Sequence, residues 1–313
     1  MIKIALTIAF AALGVLLSIA ALLHFIYRVP RNRTAHTPSD FAMPCETFPL
    51  ETARGKRLFS WFLATRPDAP VIIILHGWAA SSELMLPLAS PFHREGYNIL
   101  LLDARNHGRS DSDGHSSLPR FAEDLGVAID ALHRNRARHN GKIILMGHSV
   151  GAGAVLYEAS RRRDIAAVIS LAAFAHPEIL MRRQLGGYRL PGFLVSGILR
   201  YVQWIIGVSF DHIAPMHTSC RIECPVLLVH GEADSTVPIA DAHAILGSCK
   251  KRELELLTIA GAGHDAVDKI EQHADSLIEF LHRHNCQTPR PTSPAAAATS
   301  RTLSGQGLPV EPG

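Results

Sequence analysis

Apolar residues along this chain gather in short, dense runs separated by stretches long enough for a helix. Leu58 to Thr65, Val71 to Leu75, Asn98 to Leu102, Lys142 to Met146, Ala166 to Ser170, Val226 to His230 and Glu253 to Ile259 read as strands. Ser82 to Arg94, Leu118 to Arg138, Val150 to Arg162, Ile239 to Leu246 and Asp265 to His284 read as helices. The strand runs are rich in Val, Ile and Leu with little apolar-polar alternation, so both faces of each strand are expected to be covered. An α/β class follows, with a mostly parallel central sheet flanked by helices. Phe174 to Ala214 interrupts the rhythm as a long, mainly helical insertion, a cap at about 174–214.

The two ends follow other rules. Ile4 to Tyr27 is 24 residues without a formal charge, and as a helix it would extend about 36 Å, enough to cross a hydrocarbon layer of about 30 Å. Residues 1–34 are therefore expected to be a transmembrane anchor or a signal segment, making the membrane a partner. Lys3 followed by Ser18-Ile19-Ala20 fits the rival, a cleaved signal peptide that would leave a secreted or periplasmic protein. Arg28, Arg31 and Arg33 after the segment, against Lys3 before it, favour the cytoplasmic face for an anchored body. Residues 287–313 contain five prolines and seven Ser or Thr, and are expected to be a disordered tail. The folded domain is then 45–285.

Composition narrows the function. With 47% hydrophobic and 19% charged residues in 313, disorder throughout is excluded. The formal charge of +3 comes from scattered basic residues without long runs, so no nucleic-acid partner is expected. Five cysteines without a Cys-x-x-Cys pair suggest neither a disulfide framework nor a structural zinc, and the 18 histidines form no zincin pattern. No metal and no cofactor are expected, and oligomeric state is left open.

Gly147-His148-Ser149-Val150-Gly151 carries the chemistry. It follows the apolar run Ile143 to Met146 and precedes a helical segment, the strand-turn-helix context of a nucleophile elbow. Side chains at 147 and 151 would collide with neighbouring backbone in so tight a reversal. A serine hydroxyl needs a base, and the base needs an orienting acid. His264, in Gly261-Ala262-Gly263-His264-Asp265 after the last strand, is the expected base, in preference to the strand-end His230. Asp234, in the segment Gly231 to Pro238, is the expected acid, with Glu232, Asp241 and Asp265 as competitors. Backbone N–H groups of Val150 and of Trp78, after His76-Gly77, are the expected oxyanion donors. Asp103 to Ser110 reads as a hydrogen-bonded brace for neighbouring loops rather than a phosphate or metal loop, so Asp103 and His107 stay outside the set.

On these residues the chain resembles the α/β-hydrolases, specifically the bacterial hydrolases grouped with serine aminopeptidases, monoacylglycerol lipases and lysophospholipases. The likeness rests on His76-Gly77-Trp78, Asp103 to Ser110, Gly147 to Gly151, Cys224 to Gly231, Asp234 and Gly263-His264, roughly residues 55–285. It implies the α/β-hydrolase fold with a helical cap and the order Ser149, Asp234, His264 for the triad. The insertion carries Arg182, Arg183, Arg189 and Arg200 but only two acids, Glu178 and Asp211, beside many large apolar residues. That composition disfavours selection of a free amino terminus and suits a small-molecule ester or acyl substrate. A peptidase or thioesterase with the same triad, and a non-catalytic membrane-tethered binding protein, are the alternatives.

Overall fold

The computed structural model describes residues 3, 4, 6, 7, 10, 14, 29–31, 36–135, 141–249 and 253–287. Two short N-terminal strands, β1 (Glu46–Thr47) and β2 (Leu50–Glu51), precede β3 (Arg57–Leu58) and β4 (Ser60–Leu63). Then come β5 (Val71–Leu75), a 3-10 turn at Ser82–Met85 running into α1 (Leu86–Arg94), β6 (Asn98–Leu102), α2 (Leu118–Arg134), β7 (Ile143–His148), α3 (Val150–Ala159) and β8 (Ile165–Leu171). The insertion holds α4 (Pro177–Gly186), α5 (Gly192–Ile206), α6 (Phe210–Ile213) and, at its exit, α7 (Pro215–Thr218). β9 (Val226–Gly231), α8 (Ala240–Ser248), β10 (Leu254–Ile259), α9 (Val267–Gln272) and α10 (Ala274–Arg283) complete the order.

Eight strands form one sheet in the order β1-β4-β6-β5-β7-β8-β9-β10, while β2 and β3 pair separately. β1 and β4 join antiparallel and every neighbour from β6 to β10 is parallel. β5 lies between β6 and β7, so the chain leaves it in one direction and returns on its other side. The crevice at such a switch point lies beyond the carboxyl ends of the strands. Both faces are covered. Ile73, Leu145, Val168 and Leu228 pack with Phe121, Leu125, Ile129, Val155 and Leu156 on one side. Ile72, Ile74, Ile144, Ile169 and Leu227 pack with Leu88, Phe92, Leu277 and Phe280 on the other. Neighbouring residues of one strand thus serve opposite cores, which is why the strand runs are apolar without interruption.

The insertion is held to the body by a few contacts. Phe210, Ile213 and Leu199 are buried in the first core, and Arg183 on α4 bonds Asp241 on α8 at 2.9 Å. The outward side of the insertion is apolar: Tyr188 and Phe193 are 75% exposed and Trp204 77%. Its apolar composition is therefore spent partly on a surface rather than wholly on packing against the body.

Several expectations change. The predicted last helix is two, broken at His273 between α9 and α10, and the short β1 and β2 had no recognisable pattern in the sequence. One disulfide, Cys220–Cys249, closes a separation of 29 residues; two cysteines so spaced carry no sequence signature of their own. The membrane-anchored localisation is corrected: among the described residues no helix is long and apolar enough to cross a membrane. The longest, α2, has 17 residues, several of them charged, short of the ~20 apolar residues a span needs. Most of 4–27, with Arg28 and Arg33 of the basic residues flanking it, lies outside the described residues, as do 288–313 of the expected tail.

Candidate active site

Ser149 stands between the end of β7 and the first residue of α3 with φ 54° and ψ −114°. That is a left-handed conformation a non-glycine residue rarely holds, and packing around it must enforce it. A Cβ at Gly147 would come 2.3 Å from Gly151 O, and one at Gly151 would come 2.4 Å from His76 O and 2.5 Å from Leu75 O. The two glycines thus let α3 descend onto β5 and β7 closely enough to present the serine. Ser149 N–H is also fixed, donating to Leu171 O at the end of β8 at 2.9 Å.

Three distant segments meet here. Ser149 Oγ lies 3.0 Å from His264 Nε2, and His264 Nδ1 lies 2.7 Å from Asp234 Oδ2. Oδ1 of Asp234 accepts from Thr236 N–H at 2.9 Å and from Val237 N–H at 2.7 Å. Burial works against the charged carboxylate of Asp234, but the bonds from His264 and Val237 outweigh it and hold the carboxyl below its ordinary range. With Asp234 accepting, His264 carries its proton on Nδ1 and turns the bare Nε2 towards the serine hydroxyl.

The other candidates are occupied elsewhere. His230 Nε2 donates to Val237 O at 2.7 Å, bracing the Asp234 turn. Glu232 accepts from Thr258 Oγ1, Asp241 is taken by Arg183 and by Ala175 N–H, and Asp265 is exposed. Asp103 Oδ1 accepts from Ser82 N–H at 2.6 Å and Oδ2 from Arg109 N–H at 2.9 Å, so this carboxylate ties two loops together. His76 joins the same network, donating from Nδ1 to Gly77 O at 2.7 Å and accepting Ala104 N–H on Nε2 at 3.1 Å. His107 donates to Arg105 O at 2.9 Å, and burial, reinforced by the neighbouring His76, pushes it down to about 3.

The loop bearing Trp78 reaches the elbow. A Cβ at position 77 would stand 3.1 Å from Ser149 Cβ. The N–H of Val150, first residue of α3, lies in the turn whose N–H groups have no acceptor within the helix. The Trp78 ring meets His107 edge-on at 5.9 Å.

Among the described residues, two groups bring three ligand-type side chains together, His148 with His264 and Asp265, and His176 with Asp211 and His217. Neither offers three free ligand atoms. Both ring nitrogens of His264 are engaged as above. His176 Nδ1 accepts Glu178 N–H at 3.2 Å, so its proton sits on Nε2, which donates to Asp211 Oδ1 at 2.9 Å. A metal at that nitrogen would force the proton onto Nδ1, against another N–H.

The sequence motif assigns no role to His148, the residue between Gly147 and Ser149. It is buried, and its Nε2 lies 2.8 Å from His264 O. Its place beside Ser149 is the one signal for it in the sequence.

Residues 66–215 match the family model described as serine aminopeptidase. The uncharacterised protein YqkD of Bacillus subtilis is 28% identical over 248 residues, 77% of this chain and 80% of that protein. The bifunctional esterase/perhydrolase DCH of Acinetobacter calcoaceticus is 26% identical over 218 residues, 55% of this chain and 76% of that one. Among solved structures, the esterase Pf2001 of Pyrococcus furiosus superposes with a TM-score of 0.68 at 22% identity, covering 83% of this chain and 97% of the other. Sheet order, a serine on a strained turn after the central strand, and the superposition on solved structures together show that this chain has the α/β-hydrolase fold.

Proposed function

We propose that the protein is a serine hydrolase that cleaves carboxylic esters through an acyl-enzyme. Ser149 Oγ attacks the ester carbonyl carbon while its proton passes to His264 Nε2, and Asp234 steadies the imidazolium that forms. The oxygen that gains the charge is bound by the N–H groups of Val150 and Trp78. Collapse breaks the bond to the alcohol, which leaves with the proton from His264. Water then enters, gives a proton to His264 and attacks the acyl carbon, and Ser149 is released as it recovers that proton. No step uses a metal or an organic cofactor.

The observation that carries this reading is the unbroken hydrogen-bond line Ser149 to His264 to Asp234. The likeness to an esterase/perhydrolase supports an ester as substrate. The family description favours a second reading, release of amino-terminal residues. Against it, both acids of the insertion are engaged: Glu178 with Arg182 at 2.8 Å and Asp211 with His176 at 2.9 Å. A substrate ammonium would have to displace one of them.

The test is labelling by a fluorophosphonate probe beside turnover of p-nitrophenyl esters of graded acyl length and of aminoacyl amides. Labelling and ester turnover are expected in the wild type and lost in Ser149→Ala, with amides cleaved far more slowly. Equal labelling of both proteins would refute the assignment, and faster amide than ester cleavage would favour the second reading.

A further inference from the structure

We propose that His148 is a positioning residue for the catalytic base, acting through the backbone of His264; this deepens the serine-hydrolase reading and rests on it. His264 sits in a partly exposed connection between β10 and α9, flanked by Gly261 with φ +65° and by Gly263, which has nothing within 4 Å of where a Cβ would stand. Its backbone bonds fall on either side of the His264 peptide: Ala262 N–H to Ile259 O at 3.3 Å and Ala233 N–H to Ala262 O at 3.0 Å before it, Val267 N–H to Asp265 O at 2.8 Å after it, and Ala266 N–H to Gly263 O at 3.5 Å across it.

His148 supplies a hold at the residue that matters. It ends β7, in the middle of the sheet, and it adjoins the nucleophile. Its Nε2 lies 2.8 Å from His264 O, a contact between residues 116 apart in sequence. A carbonyl can only accept, so Nε2 carries the proton and Nδ1 is bare. Burial opposes a second proton and lowers the group from its ordinary value, so the ring remains a neutral donor. A Cβ at position 77 would stand 3.2 Å from Nδ1, so this side of the ring lies close to the loop of Trp78. One ring therefore belongs to the elbow, lies beside the Trp78 loop and bonds the base loop.

The consequence is geometric. Oγ of Ser149 is set by the elbow, and Nε2 of His264 must remain within hydrogen-bond reach of it through a whole turnover. By tying the His264 peptide to the strand that presents Ser149, His148 makes nucleophile and base move as one body. Without the tie, the base loop gains freedom relative to the nucleophile, and displacement of reacting groups by about 1 Å can cost on the order of a hundredfold in rate. Because its bond is to the backbone of the base, the loss is expected in turnover more than in substrate binding.

Two substitutions separate this from a packing role. His148→Leu fills the space without a donor, whereas His148→Gln places an amide N–H near the position of Nε2. H148L is expected to lower kcat for a p-nitrophenyl ester by about 10- to 100-fold with KM changed less than about twofold. Fluorophosphonate labelling should slow in the same proportion while circular dichroism stays native. H148Q should return to within about threefold of wild type. The proposal is overturned if H148L keeps the wild-type kcat, if its loss lies in KM, or if H148Q is no better than H148L. Should H148L fail to fold, His148→Met provides the donor-less variant; if neither folds while H148Q does, the bond serves stability and the proposal is likewise overturned. Wild-type labelling that is lost in Ser149→Ala keeps these outcomes distinct from failure of the hydrolase reading: absent labelling of the wild type sinks both, and its presence leaves only the role of His148 at stake.

Discussion

Replacing Asp234 by Asn tests the proton route with almost no change of shape. Oδ1 of Asp234 accepts two backbone N–H groups, from Thr236 and Val237. An amide at this position must keep its oxygen there, since an NH2 would face two donors. The NH2 is thereby forced to the place of Oδ2, 2.7 Å from His264 Nδ1. It can only donate, so Nδ1 becomes the acceptor and the imidazole proton moves to Nε2, facing the serine. The base is then in the wrong tautomer. In Ser-His-Asp triads this substitution lowers kcat about 10⁴-fold, close to 5.5 kcal/mol of barrier. Asp234→Ala would abolish activity as well but would also orphan two N–H groups, at about 1 to 3 kcal/mol each if they stay dry. Asn should therefore leave the melting temperature above that of Ala while both lose turnover. The acid limb follows from the same group. Its folded-state carboxyl lies below the ordinary range, so the stability it contributes is present above about pH 4 and is lost as pH falls through the folded value. D234N should flatten that part of the stability profile. The assays are steady-state ester hydrolysis, thermal unfolding by circular dichroism, and both across pH 3 to 8, a window of roughly the carboxylate and imidazole ranges. A D234N enzyme retaining a tenth or more of wild-type kcat, about 1.4 kcal/mol or less, would refute the reasoning.

Other expectations concern the frame of the site. Gly151→Ala sets a Cβ against the backbone carbonyls of His76 and Leu75, neither of which can rotate away, so the variant should melt at least about 10 °C lower or fail to accumulate folded; an unchanged melting curve would contradict the elbow packing. Arg105 and Asp124 form a buried pair, with Arg105 Nε donating to Asp124 Oδ1 at 2.8 Å. Asp124→Ala should cost about 3 to 5 kcal/mol in a urea titration, because the guanidinium is left buried beside fewer acceptors, and a loss below about 1 kcal/mol would show the pair to be dispensable. The Cys220–Cys249 bridge spans 29 residues, and loop-closure entropy assigns it about 3.5 kcal/mol. Cys220→Ser should lower unfolding free energy by about that amount, and added reductant should then have no further effect; equal stability of variant and oxidised wild type would show that the bridge does not form.

Much of this molecule is legible in its amino-acid order. Unbroken apolar runs such as Val71 to Leu75 announce strands covered on both faces, because only burial on two sides makes polar alternation unnecessary. The elbow is legible because a strained serine flanked by glycines is a local steric demand, and local demands are written in adjacent residues. His264 and Asp234 could be nominated because each follows a strand, where a parallel sheet gathers its loops at one edge. β1 and β2 could not be read, since a two-residue strand has no periodicity.

The amino-acid order alone determined the α/β class, the insertion and the residue types available at the sheet's carboxyl edge. Only the tertiary structure decided that Ser149 and His264, 115 residues apart, stand 3.0 Å from each other, that Asp241 turns to Arg183 while Asp234 turns to His264, that Cys220 joins Cys249, and that Phe193 and Trp204 of α5 face outwards. The division has one physical cause. Strand formation, turn strain and charge are set by neighbours along the chain, whereas a hydrogen-bond partner is chosen by which segments the sheet brings side by side, and that depends on the packing of both cores at once.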